Sequence, residues 1–294
     1  MIKGKTYCYD DAFKAKARAH QFAFRENELN DFYEEKNPQV ILSPEAAKKG
    51  LIFCDTYRDL IRNKIGAFKE SALCSNMLRS EHIPHNIFTP MEEDYEATTS
   101  LLNEILGGGV AKINFIEIEF PGYVPDKSKY LNDGTSFDAF IEYETLDGVK
   151  GGVGIEVKYT ERGYPIGVKE AKDIEKEGGE YSQMTKKSNY YIPSLNIQSF
   201  IKANHLRQIW RNHILGYSMM RHRDIQRFHH IHLYPQGNKH FEKVIPEYRA
   251  LLTTQGNESF IDLTYESLFD MMEAFFTTEK QQEWLKYLRR RYLF

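Results

Sequence analysis

Phe137 to Glu144 alternates in polarity, turns at Leu146-Asp147-Gly148, and is followed by a second strand-like run from Val153 to Tyr159. Such a pair reads as a β-hairpin, and it constrains the chain more than any other stretch. Side chains alternate faces along a strand. Val153, Ile155, Val157 and Tyr159 therefore share an apolar face that must pack on a core, while Gly154, Glu156 and Lys158 share the other. The carboxylate and the ammonium would stand about 6.5 Å apart along the strand. If Leu146 to Gly148 form a three-residue loop, Thr145 pairs with Val149 and Asp138 falls directly opposite Glu156. Opposed residues on one face bring their Cβ atoms to roughly 4.5–5.5 Å, so the two carboxylates would repel unless a cation stood between them. A two-residue loop, or a bulge at Gly151-Gly152, would break that alignment.

An Asp, a Glu and a Lys so placed suit metal-assisted phosphodiester hydrolysis. Asp138 and Glu156 would hold Mg2+, a cation that prefers oxygen ligands and keeps several waters, with Mn2+ able to substitute. The metal would polarise the phosphoryl oxygen and help generate hydroxide. Lys158 would orient the water or offset transition-state charge.

The remaining pattern supplies a frame of α/β class, helices bracketing a short mixed sheet. Residues 10–30 predict a helix opened by Asp10 or Asp11, and Ser43-Pro44 predicts another helix start. Residues 55–80 read as one helix broken at Ile83-Pro84, and Met91 to Leu106 as a helix stopped by Gly107-Gly108-Gly109. Ile113 to Phe120, His229 to Tyr234 and Phe260 to Leu263 are further strand candidates; 196–220, 265–276 and 278–291 are helical, and 161–189 is too polar for a core. The expected division is a helical extension over 1–75 and a main domain over 76–294. A chain of 294 residues with 41% hydrophobic residues can bury a large core, while a net charge of −3 argues against a uniformly basic nucleic-acid coat but leaves room for a local basic groove. Cys8, Cys54 and Cys74 are scattered and read as reduced thiols. No run approaches the roughly 18 apolar residues of a membrane span, and no apolar run follows Met1 to Lys5. A cytoplasmic protein is expected.

The motif residues resemble the PD-(D/E)XK nuclease superfamily, and more narrowly a bacterial restriction-endonuclease-like family. The resemblance lies in Ser80-Glu81-His82 through Phe88, in Ser136 to Ala139, in Ile155 to Glu161, and in Gln208-Ile209-Trp210-Arg211-Asn212-His213. It implies a restriction-endonuclease-like central mixed sheet flanked by helices, and a DNA endonuclease with a restriction- or defence-like role. Asp138, Glu156 and Lys158 would be catalytic, with a glutamate from an early helix, Glu81 rather than Glu104. Gln208, Arg211 and His213 would contact nucleic acid, Arg211 suiting a bidentate grip on phosphate. DNA is the implied partner, no membrane is involved, and a homodimer is an expectation by analogy with double-strand cutters. The sequence departs from the motif in one place: its literal Pro-Asp pair is Pro125-Asp126, which leaves Asp126 as the alternative to Asp138.

Other candidates have plainer readings. His222, His229, His230 and His232 lack the cysteine or carboxylate that would complete a zinc set. His85 and Asn86 read as caps of a chain reversal, and Arg289-Arg290-Arg291 as charge complementing a helix C-terminus.

Overall fold

The computed structural model describes residues 7–33, 40–69, 71–163, 165–176 and 178–294; Met1 to Lys5 lie outside them. Five strands form one sheet in chain order: β1 (Val110–Phe120), β2 (Phe137–Thr145), β3 (Lys150–Val157), β4 (Arg227–Tyr234) and β5 (Phe260–Thr264). The first three pair antiparallel and the last two join in parallel. The hairpin adopts the expected register. Thr145 N–H donates to Val149 O, Glu144 faces Lys150, and the pairing runs without a bulge to Ala139 opposite Ile155.

Helices α1 (Ala12–Asn27), α2 (Pro44–Lys48), α3 (Arg58–Ile65), α4 (Ala72–Ser75), α5 (Ile83–Phe88) and α6 (Tyr95–Leu106) precede the sheet. Between β3 and β4 come α7 (Val168–Glu175), α8 (Glu180–Lys187), α9 (Gln198–Lys202) and α10 (Asn204–Arg221). Helices α11 (Phe241–Arg249) and α12 (Thr254–Ser259) precede β5; α13 (Tyr265–Glu273) and α14 (Glu279–Tyr292) close the chain. The result is a mixed sheet flanked by helices on both faces, the architecture the resemblance implied.

Each face has its own core. Val153, Ile155 and Val157 pack with Ala17 and Phe24 of α1, Ile61 of α3, Leu101 of α6 and Trp284 of α14. Phe137, Phe140 and Phe228 pack on the other side with Trp210 and Ile214 of α10 and Tyr248 of α11. Helical residues from the first 75 thus share one core with the sheet. Asn86 knits that side together, accepting from Cys54 N (2.8 Å) and donating to Ile52 O (3.1 Å) and Tyr292 Oη (2.8 Å). That is a buried clamp rather than the cap of a chain reversal.

Local chemistry sets most helix ends. Asp11 accepts from Lys14 N, Ser43 from Ala46 N, and Gly107 leaves α6 in the left-handed region, each supplying a partner or a conformation that an open helix end lacks. Other stretches differ from expectation. Residues 55–80 are not one helix, because Gly66 at φ +79° ends α3. Pro84 opens α5 instead of breaking a helix, since proline is tolerated in a first turn. The 196–220 helix is interrupted at Ala203, the polar 161–189 stretch carries α7 and α8, and α11 and α12 had no clear sequence signal. Among the described residues, no helix is long and apolar enough to cross a membrane. All three cysteines are free, and burial pushes the Cys54 thiol up to about 11.

Candidate active site on the second face of the sheet

Glu156 is the last polar residue of β3, and Lys158 follows the strand's end. The Lys158 backbone is pinned from two sides: its N–H donates to Leu233 O (2.8 Å) and its carbonyl accepts from Tyr265 Oη (2.7 Å). Its ammonium lies 2.5 Å from Glu156 Oε1, an ion pair without hydrogen-bond geometry, and donates to Gln208 Oε1 (2.6 Å). Glu156 Oε2 accepts from Asn212 Nδ2. Continued one step beyond Ala139 and Ile155, the hairpin register sets Asp138 opposite Glu156. Asp138 Oδ2 accepts from Val157 N (2.7 Å), which fixes the carboxyl beside the strand that carries Glu156.

Glycine makes room for this arrangement. A Cβ on Gly154 would lie 2.3 Å from Phe137 Cε1, and one on Gly152 2.6 Å from Phe140 Cζ. The aromatic rings of β2 fill the space that side chains on β3 would take. The face that carries Glu156 and Lys158 is therefore closed: α10 lies over it, Glu156 is fully buried, and Lys158 is 9% exposed.

The electrostatics follow from that closure. Burial, then the neighbouring Glu156 charge, holds the Asp138 carboxyl well above its ordinary range; Lys158 and the Val157 N–H oppose the shift. Burial alone would lower the Lys158 ammonium, but Glu156 and Asp138 outweigh it and raise it. The lysine is thus firmly cationic, and the opposed aspartate is reluctant to ionise alone.

Helix α10 brings some of its expected residues to the site and not others. Gln208 and Asn212, one turn apart, grip Lys158 and Glu156 respectively. Arg211 points elsewhere: Nε donates to Thr135 Oγ1 (3.0 Å), Nη2 to Asp133 Oδ2 (2.7 Å) and Nη1 to Glu170. Its guanidinium is committed to carboxylates, and a grip on phosphate requires those pairs to open. His213 is fully buried in the core behind α10, bonded to Tyr248 Oη (2.9 Å) and Ser259 Oγ (2.7 Å). In this arrangement it has no access to a nucleic acid.

Glu81 lies in the turn before α5, not on a helix, and pairs with Arg79 at 2.7 Å. Glu161 tethers that turn, its Oε1 accepting from Ser80 N (2.8 Å). Glu104 is exposed on α6, and Asp126 is exposed in its loop, accepting from Ser128 N and Oγ. Two features were missed by sequence reasoning. Asn212 stood inside the quoted motif, but only the docked helix reveals its partner. Glu119, the penultimate residue of β1, stands at φ +58°, and its carboxyl, raised by partial burial and by the charges of Glu156 and Glu81, belongs to the same electrostatic neighbourhood. His230 and His232 are buried on β4 with neither ring nitrogen hydrogen-bonded, and burial holds both below the usual imidazole range. Among the described residues, no group of three or more His, Cys, Asp or Glu stands in metal-holding geometry.

A family model, that of the PD-(D/E)XK nuclease superfamily, matches residues 8–294. No curated protein and no solved structure matches the chain.

Proposed function

The chain belongs to the PD-(D/E)XK nuclease superfamily, and on that premise we propose that it is a metal-dependent endonuclease that hydrolyses DNA phosphodiester bonds. The observation that carries the reading is the hairpin register that sets Asp138 beside Glu156, with the Lys158 ammonium on the Glu156 carboxylate.

The donor set fits a divalent cation. Asp138 and Glu156 supply hard oxygen donors, and the crowding that holds Asp138 above its ordinary range is what a cation would relieve. Two carboxylates would leave most of the coordination shell to water, as Mg2+ prefers. When bound, Mg2+ or Mn2+ supplies Lewis-acid polarisation of the phosphoryl oxygen and an activated water. The chain's own residues do the rest. Gln208 holds the Lys158 ammonium in place, ready to offset charge developing on the phosphate. Asn212 fixes the orientation of Glu156, and α10 excludes bulk water, which strengthens each of these interactions. A restriction- or defence-like role extends this reading from the resemblance.

A second reading, nucleic-acid binding without cleavage, draws on the full burial of Glu156 and the engagement of both its oxygens. Incubation of plasmid DNA with the purified protein and Mg2+ or Mn2+ separates the two. The first reading predicts metal-dependent cleavage that Glu156→Gln and Lys158→Ala each reduce by about a thousandfold per folded molecule, alongside a lower melting temperature because each variant breaks a buried ion pair. Salt-sensitive DNA binding without cleavage in any metal would sink it and favour the second.

A further inference from the structure

We infer that α7 is a latch on the nucleic-acid surface: its Glu170, together with Asp133, holds Arg211 in place of a phosphate, and DNA binds by displacing Glu170 and lifting α7. The inference rests on the nuclease reading and adds to it how access to the site is regulated.

The contacts of Arg211 are the first ground. Nη1 donates to Glu170, Nη2 to Asp133 Oδ2 (2.7 Å) and Nε to Thr135 Oγ1 (3.0 Å). The planar fork of an arginine matches a phosphate as well as it matches carboxylates, so the two acids stand where phosphate oxygens would. The position also suits a substrate contact. Arg211 lies on α10 between Gln208 and Asn212, which hold Lys158 and Glu156, and Thr135 shortly precedes Asp138 in the chain.

The cavity beside Arg211 is the second. A hollow of about 580 Å3 is lined by α7, the start of α8 and the β1–β2 connection, with Arg211 on its wall. Asp133, Glu170, Asp173 and Glu180 line it together with Arg211 and Lys176. Four carboxylates against two cations repel a phosphate while α7 is seated. Glu170 and Asp173 both ride on α7, so lifting that one helix removes two of the four and uncovers the guanidinium.

The way α7 is held is the third. Ile174 is buried in the second core, but Val168 is 77% exposed, and Lys172, Asp173 and Glu175 face solvent. Gly167 opens the helix without a side-chain cap, and Gly178, beyond its other end, stands at φ +70°, a conformation that costs glycine little. The Glu170 side chain is 27% exposed in its pair with Arg211, and a partly solvated ion pair contributes little to stability. Asp133, by contrast, also accepts from Thr135 N (2.8 Å) and from Tyr181 Oη. Glu170 is the partner that gives way.

Fluorescence anisotropy of a labelled DNA duplex, titrated with the full chain in chelator so that no cleavage occurs, tests this. Glu170→Gln is compared with wild type and with Glu175→Gln, which removes an equal charge from an exposed position at the end of α7. Arg211→Ala is measured alone and combined with Glu170→Gln. Glu170→Gln is expected to tighten DNA binding about tenfold, since a like charge beside the phosphate is removed, and Glu175→Gln less than about twofold. The gain should vanish when Arg211 is alanine. Hydrogen exchange supplies an independent readout: DNA should speed exchange across 168–175 in the wild-type protein. Equal affinities for the Glu170 and Glu175 variants, a gain that survives in the Arg211→Ala background, or slowed exchange in α7 would each overturn the latch. Metal-dependent plasmid cleavage by the same preparations would then leave the nuclease reading standing. Wild-type and Glu170→Gln proteins that neither bind DNA nor cut it would overturn both.

Discussion

The two faces of β3 are built from alternate residues of one short strand, yet they obey different rules. Val153, Ile155 and Val157 enter an apolar core where only volume and shape matter. Gly152, Gly154 and Glu156, with Lys158 just beyond, enter a second interior where each polar atom needs a named partner: Lys158 and Asn212 for Glu156, Gln208 for Lys158. A buried charge is costly unless it is paired, so the second face holds only because α10 delivers two amides at helical spacing. One face is fixed by local pattern, the other by a helix some fifty residues downstream.

Truncation should separate them. Ile155→Ala on the apolar face is expected to cost about 2–5 kcal/mol in stability, measured by denaturant unfolding, with Mn2+ affinity per folded molecule unchanged. An equal loss of Mn2+ affinity would mean that the faces are coupled. Gly154→Ala on the polar face should cost less, about 1–3 kcal/mol, because a Cβ 2.3 Å from Phe137 Cε1 forces that ring to shift. Unlike the first variant, it should also weaken Mn2+ binding, since Phe137 adjoins Asp138.

The smallest effect has the opposite sign. The folded protein holds the Asp138 carboxyl above its ordinary range, chiefly through burial and the Glu156 charge. The folded state therefore binds that proton more tightly than the unfolded chain does. Stability is lost as pH rises from the ordinary carboxylate range through the folded value. Asp138→Asn should accordingly raise the melting temperature of metal-free protein by a few degrees at pH 8, a gain that shrinks toward pH 4. A lower melting temperature at pH 8 would show that ionised Asp138 supports the fold.

Much of this was legible in the sequence, and the boundary is physical. The hairpin register followed from a three-residue turn and strict alternation, and Asp11, Ser43 and Gly107 marked their helix ends because capping is local chemistry. What escaped depends on docking. Asn212 looked like any helix residue until α10 lay over β3. Arg211 looked available for phosphate until Asp133 and Glu170, from separate segments, took its guanidinium. His213 sat in a polar-looking motif but turns into the core, and Pro84 begins a helix where it was expected to end one.

The central claim is that Asp138 and Glu156 converge on one divalent ion beside Lys158. Anomalous diffraction from a crystal soaked in Mn2+ tests it most directly. The account predicts a single strong peak within bonding reach of both carboxylates. An ordered site with no peak there, or a peak at Asp126 instead, would contradict it.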